Sequence, residues 1–501
     1  MKKLNYILPA LLASSLLFSA CKKELDQFPP GAIAASQSFQ FLKDAKAYDN
    51  GLFQRLRGNL YGSVMFVPDV QADQLNATFD YGNRNGNPYR WTTFLSDDGA
   101  LSTAWNGPYS ALANVNTAIA GYPTIANTTA AEKAELDRYL GNAYLMRAYY
   151  YSELIKKFAK AYNPATAATD LGVPLVLAYE LNAKPDRATI KAVYDQILSD
   201  IARAKPLLAS TAGTQGATRF STHTVSSLEA TVKLNMQDYV GAAAAAEVVI
   251  TSARYPLINN QATYNSMWIN DLPQEVITRS AVSRPNELPN TNNIYLGFIP
   301  ATGRFTPDFL PTQWMIDLYG TTDIRKAAYF AQRTLTIQGA NVPNIWVVNK
   351  YPGNPALFTS AATNYAHAPI MFRVAEMYLI SAEANARAGA STAAQSLIRL
   401  NELRVARGLT ALSGLSGTAL IEAVKLERLK ELAYEGFRLW DLKRYNEGFT
   451  RYGSQNPSLL VNANGEITLA ISANNEKFTW GIPARDINTN SGLNGQQNPG
   501  W

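Results

Sequence analysis

Residues 129–161 read TAAEKAELDRYLGNAYLMRAYYYSELIKKFAKA, and their spacing decides the fold class. Tyr139, Ala143, Met146, Tyr150, Leu154 and Phe158 recur every three or four positions, which draws one apolar stripe along an α-helix. The threonines and early glutamates of TTAAEKAE (128–135) form a helix start. A hydroxyl there accepts from the unpaired amides of the first turn, and an acid meets the positive end of the helix dipole. Pro164, Gly172, Pro174 and Pro185 require the helix to stop, and Val173–Leu177 reads as extended.

The same periodicity spreads outward. It predicts helices over 39–60 (Phe41, Ala45, Tyr48, Leu52, Leu56), 104–120 (Trp105, Tyr109, Leu112, Val115, Ile119) and 187–208 (Ile190, Val193, Tyr194, Ile197, Ile201). Residues 222–252 read as two short helices broken near Gln237-Asp238, the second rich in alanine from Ala242 to Ala246. Residues 369–389 and 391–407 form another pair, ended by Gly389 and Gly408. One close-packing face of the first runs Ile370, Val374, Met377, Ser381, Ala384, Ala388. Residues 418–446 read as the last long helix. Helix pairs with small residues at the crossings resemble tetratricopeptide-type stacking. The predicted fold class is all-α: a tetratricopeptide-like helical scaffold (39–60, 104–252, 369–446) carrying a loop-rich, irregular ligand-binding subdomain. The loops are 62–100 and 253–368, with a C-terminal tail at 447–501. These intervals hold most of the Pro, Gly and Asn, and loops this long are usually functional. Within 253–368, Trp346 alternates with Ile345 and Val347 and reads as strand core.

Composition narrows the function classes. The 501 residues are 47% hydrophobic and 17% charged, enough apolar side chain to bury a large core. A net charge of +6 with no dense basic run argues against nucleic acid. The two histidines, His223 and His367, read as capping or surface residues and exclude most His-rich metal sites. One cysteine excludes internal disulfides and iron–sulfur clusters. No resident cofactor is expected, and whether calcium assists is left open.

The N-terminus, MKKLNYILPALLASSLLFSA, has a basic start, an apolar stretch and small residues before Cys21. Phe18-Ser19-Ala20-Cys21 resembles a lipobox. Residues 1–20 are therefore expected to be a lipoprotein signal peptide, and 21–38 a tether lipidated at Cys21. Several acyl chains on one residue anchor a protein stably without spanning the bilayer.

Three later motifs carry a family resemblance. PIMFRVAEMYLISAEANARAG (369–389) is similar to a helix pattern RYAE…AEA through Arg373, Ala375, Glu376, Ala382, Glu383 and Ala384. LERLKELAYEGFRLWDLKR (426–444) matches a pattern of ER, EL, EG and DLkR through Glu427, Arg428, Glu431, Leu432, Glu435, Gly436, Arg438, Asp441, Leu442 and Arg444. The tail TWGIPARDINTNSGLNGQQNPGW (479–501) is similar to an ending in QNPGY, with Gly481 where proline is usual and Trp501 where tyrosine is usual. Together these resemble the SusD/RagB family of outer-membrane nutrient-binding lipoproteins, nearly end to end. The resemblance implies a helical frame with an irregular binding subdomain and binding without catalysis. It also implies a TonB-dependent outer-membrane transporter (SusC-like) as partner, over which the protein sits as a lid. The ligand is expected to be a glycan, with a peptide as the alternative.

Sugars offer flat C–H faces, which aromatic rings cover, and hydroxyl edges, which amides, acids and guanidiniums bond. PDVQADQLNATFDYGNRNGNPYRWTTF (68–94) supplies both kinds through Asp73, Asn76, Tyr81, Asn83, Arg84, Asn87, Tyr89, Arg90 and Trp91. A second stretch, 264–319, adds Tyr264, Trp268, Tyr295 and Trp314, the last beginning an apolar helical turn that also suits core packing. The cluster Glu427, Arg428, Glu431, Glu435, Arg438, Asp441 invites a glycosidase reading through paired carboxylates. Acids mixed with arginines on one helix more naturally pair, which lowers their pKa values, opposite to what a general acid needs. Glu435 and Arg438 are expected as an i, i+3 pair, and Asp323 with Arg325 as a structural pair. A pure tetratricopeptide adaptor is a further alternative, but it would leave the aromatic loops without a role.

Overall fold

The computed structural model describes residues 38–501 except 127–128, 181, 285–286, 288–291, 359–364, 452, 454 and 461–468. The signal peptide and Cys21 lie outside the described residues.

Helix Ala130–Phe158 is where its periodicity puts it, and its start is a capping box. The Thr129 hydroxyl accepts from the Glu132 amide at 3.2 Å, and the Glu132 carboxylate accepts from the Thr129 amide at 3.0 Å. It packs against Leu42–Leu60, Gly99–Gly121 and Ile190–Leu207. Thr222–Asn235 and Tyr239–Thr251 form the next antiparallel pair, and the turn between them ends on Asp238, which caps the second helix through the Gly241 amide at 2.9 Å. Val374–Ala388 sits between Tyr239–Thr251 and Ala393–Ala406, with Ser381 and Ala384 fully buried so that the helices approach closely. Its start is later than the sequence suggests, because Ile370–Arg373 is a strand paired with Val276–Arg279. Ala388 is exposed and belongs to no packing face.

The protein is mostly helical, but not all-α. Among the described residues are three two-stranded sheets and one four-stranded sheet. The larger sheet joins Phe298–Ile299, Arg304–Phe305, Phe330–Ile337 and Ala340–Val348, the last two as an antiparallel hairpin with Phe330 opposite Val348. Ile345 and Val347 face the core, while Trp346 points to the half-buried side, as period-2 alternation dictates. The interval 62–100 is not a plain loop either. It contains helix Ser63–Gln71, strand Leu75–Ala77 and helix Gly86–Arg90. Phe66 through Gln71 are all buried, so that helix is covered on every side and shows no stripe.

The expected helix over 418–446 is two, Gly417–Glu431 and Arg438–Tyr445. Between them Tyr434 and Gly436 take φ of +63° and +78°. A Cβ on residue 436 would stand 2.9 Å from the Met65 carbonyl oxygen, and the Gly436 amide donates to Asp69 at 3.0 Å. The C-terminal tail is clamped by Arg187, which donates to the Gln496 carbonyl at 2.7 Å and the Asn498 side chain at 2.9 Å. The two departures from the family ending explain each other. A Cβ on residue 481 would lie 2.4 Å from the Trp501 ring, so the larger terminal ring needs the glycine. Trp501 rests edge-on against Phe94 at 5.0 Å and donates its indole N–H to the Thr479 carbonyl at 2.8 Å.

Two large cores result. One fills the helical frame; the other lies under 62–100 and 253–368 and takes Tyr434 from the chain's last third. The charged motif 427–441 is buried ion pairing, as its composition suggests, though with different partners. Glu435 meets Lys350 and Arg373, while Arg438 meets Asp73. Asp323 holds Arg325 through two 2.8 Å bonds. Neither histidine is a surface residue. His223 is buried 3.0 Å from the Tyr255 hydroxyl, and His367 is packed between Tyr61 and Tyr351.

Candidate functional site

Most of the rings and polar groups singled out in the sequence are part of the second core. Asp73 is 2% exposed and pairs with Arg438 at 2.6 Å. Asn76 is fully buried in a strand opposite Leu310. Tyr89 accepts from the Ala77 amide at 3.2 Å, and its ring lies 4.0 Å under the Arg451 guanidinium. Trp91 is buried in the first core instead, where it donates to the Gln71 carbonyl at 2.7 Å and packs edge-on against Phe478. Trp268 is 5% exposed beneath the Lys350 ammonium, 4.2 Å from the ring centre. Tyr295 stacks on Tyr351, and Tyr81 is buried against Phe309. Tyr264 is buried as well, hydrogen-bonded to Tyr329. The expectation that these side chains form a ligand surface is corrected. Large rings bury 150–250 Å² each, and in a chain this rich in loops they supply the core that helices supply elsewhere.

Asn83, Arg84, Arg90 and Trp314 do reach solvent, the last two only partly. Asn83 and Asn85 adopt left-handed backbone conformations, φ +58° and +57°, which asparagine tolerates better than most residues. Their turn opens a polar hollow of about 230 Å³ lined by Ser63, Asn83, Asn85, Asn87, Asp98 and Thr103. Arg90 braces it, donating to the Asn83 side chain at 2.7 Å and to Asn87 at 3.2 Å. Asn87 in turn donates to Asp98 at 2.9 Å. Arg84 pins the turn to Asp308 through a 2.8 Å bond, and the guanidinium holds its proton more tightly for it.

Three further half-buried rings are ones the sequence reading passed over. An open hollow of about 320 Å³ is lined by Phe298, Phe305 and Phe358 with Leu296, Arg333 and Asn349. Phe298 and Phe305 face each other across the short hairpin at a centroid distance of 5.1 Å. The Arg333 guanidinium lies 5.5 Å from the Phe305 ring centre and donates to Asn349 at 3.3 Å. The signal was present as Thr302-Gly303 between two Phe-containing segments, a hairpin cue with apolar residues facing the same side. The 62–100 and 253–368 segments that carry the two hollows are tied to each other, since Asp80 accepts from the Gln338 amide at 2.8 Å and Thr78 donates to the Pro307 carbonyl at 2.8 Å.

No helix of the described residues is long and apolar enough to cross a membrane. Among them no group of three or more His, Cys, Asp or Glu could hold a metal.

Comparison with known proteins matches this arrangement. The family model described as "SusD family" matches residues 325–501, and the one described as "Starch-binding associating with outer membrane" matches residues 52–234. SusD-like protein P38 of Formosa agariphila is 24% identical, over 89% of this chain and 92% of its own. The crystal structure of a putative sugar binding protein from Bacteroides vulgatus superposes with a TM-score of 0.76 at 23% identity, covering 93% of this chain and 99% of that one. A laminarin binding SusD-like protein gives a TM-score of 0.65 at 19% identity, covering 92% and 100%. The two family models between them take in well over half of the sequence, and the chain belongs to the SusD family.

Proposed function

We propose that this chain is a cell-surface glycan-binding lipoprotein, anchored in the outer membrane through Cys21. In this reading it captures an oligosaccharide and passes it to a TonB-dependent channel without altering it. The observation that carries the reading is the open hollow in which Phe298, Phe305 and Phe358 stand beside Arg333 and Asn349. Ring faces suit the C–H faces of a sugar, and the guanidinium and amide suit its hydroxyls. The separate hollow of Asn83, Asn85 and Asn87 offers further amides of the kind that bond hydroxyls. The laminarin binding relative and the starch-binding family description support the same ligand class.

Catalysis is not part of the reading. Burial alone would raise the Glu431 carboxyl, but Arg407, Arg373 and Arg325 hold it well below the ordinary carboxylate range, and Arg373 and Lys350 outweigh burial to lower Glu435. A general acid needs the opposite shift. The helix pairs act as a tetratricopeptide-like frame that fixes the hollows in place.

Native electrophoresis through gels containing laminarin, starch or xylan tests the proposal against a panel of short peptides in solution. Retardation by at least one polysaccharide, with no sugar released, is the expected result. Affinity should be modest, because a hydroxyl-rich ligand gives up water bonds nearly as good as those it gains. Passage through every gel unretarded, with saturable peptide binding, would move the function to peptide capture.

A further inference from the structure

Where helix Ala130–Phe158 passes the start of Val374–Ala388, the described residues line a smaller, partly open cavity of about 130 Å³, apart from both hollows. Its walls include the rings of Trp268, Phe437 and Trp440 and the polar groups of Tyr149 and Glu376. The other charges lining it are already matched. Glu153 pairs with Lys156 and Lys157, and Arg373 with Glu431 and Glu435. Asp271 accepts from the Asn354 side chain at 2.7 Å and from the Ala368 amide at 2.9 Å.

Glu376 is the exception. It is 3% exposed, and its carboxyl has no hydrogen bond or ion pair among the described residues. An unmatched buried carboxyl is costly, so its retention against a cavity calls for a ligand. Burial pushes the group up to about 7, against the pull of Arg428 and Arg373, so at neutral pH it is partly protonated and both gives and accepts hydrogen bonds. The Tyr149 hydroxyl, also on the wall, is likewise without a bond among the described residues. A charged ligand would find no free counter-ion except by ionising Glu376. A neutral one finds two groups that donate and accept, and ring faces that water wets poorly. A dry cavity of about 150 Å³ holds a benzene ring, which sets the size.

We infer that this cavity is a second binding site, for a neutral, hydroxyl-bearing molecule no larger than a single small ring, held by Glu376 and Tyr149 against the rings of Phe437 and Trp440. This site stands independently of glycan capture at the outer hollow.

Saturation-transfer NMR on the full-length chain in detergent, with D-xylose and ethanolamine as probes, tests it. D-Xylose is expected to bind saturably in the millimolar range. Glu376→Gln should leave that binding within about threefold, because the amide also gives and accepts hydrogen bonds. Glu376→Leu should weaken it by about tenfold or more, the loss of a buried bonding partner. Tyr149→Phe, a milder change to the fold, should weaken it by about threefold or more, so the test survives if the leucine variant does not fold. No saturable D-xylose binding, ethanolamine binding in preference to it, or D-xylose binding untouched by either of the two disruptive variants would overturn the assignment. Phe305→Ala serves as the separating control. It lies outside this cavity, so lost gel retardation with unchanged D-xylose binding bears on the outer hollow alone.

Discussion

Glu431→Gln is expected to destabilise the protein by about 3–5 kcal/mol, the range for removing one partner of a buried ion pair. The Glu431 side chain is fully buried. Its carboxylate accepts from Arg407 at 2.8 and 3.0 Å, from Arg325 at 3.0 Å and from Arg373 at 2.5 Å. Each of those arginines also holds another acid: Glu275 for Arg407, Asp323 and Glu427 for Arg325, Glu435 for Arg373. One carboxylate therefore joins helices Gly417–Glu431 and Ala393–Ala406 to helix Arg325–Tyr329 of the 253–368 insertion and to strand Ile370–Arg373. The amide of the variant keeps the shape but withdraws the charge and turns an N–H₂ toward guanidiniums. Six cations, Arg325, Arg373, Arg404, Arg407, Lys350 and Lys430, would then share the four acids Glu275, Asp323, Glu427 and Glu435 in a low-dielectric site. Equilibrium unfolding in urea checks this, and a loss below about 1 kcal/mol would show that the network carries little of the fold.

Arg451→Met is expected to cost about 3 kcal/mol or more, because several buried carbonyls lose their donor at about 1–3 kcal/mol each. Arg451 is completely buried. It donates to the carbonyls of Val70, Gln71, Ala72 and Tyr89 at 2.8 to 3.2 Å and covers the Tyr89 ring. Methionine fills much of the volume but donates nothing. The effect should concentrate on the segment between Ser63 and Trp91, which those bonds tie to the C-terminal tail. Limited trypsin digestion should then cut after Arg84 or Arg90 at least about tenfold faster than in the parent, since local opening by 1.4 kcal/mol is already a factor of ten. Unchanged digestion would mean that the segment is held by its packing alone.

These two residues also show where the sequence was readable. Helix Ala130–Phe158 announced itself by its apolar stripe and by Thr129 at its start, and the Thr222–Thr251 pair by its alanine-rich second member and the break at Gln237-Asp238. The 427–441 acids and arginines were legible as ion pairs from composition, but their partners were not, since Glu275, Lys350 and Asp73 come from distant stretches. The break at Leu432–Phe437 was hidden because Leu, Ala and Tyr are acceptable helix residues; the reversal is imposed by contact with Met65 and Asp69. Helix Ser63–Gln71 was hidden for the opposite reason, being buried all round. The site was the least legible part. Trp91, Tyr89 and Trp268 have the composition of a sugar platform, yet whether a ring faces ligand or core depends on tertiary packing. Phe298, Phe305 and Phe358, which do line an open hollow, look in sequence like ordinary core residues.

The most direct measurement of the central claim is the retardation of Phe305→Ala in polysaccharide gels, beside the parent chain and with a melting curve for each. Phe305 is half-buried at the hollow's wall, so its removal should leave the melting temperature within a few degrees while abolishing or sharply reducing retardation. Retardation equal to the parent's, in a variant that still folds, would contradict the account.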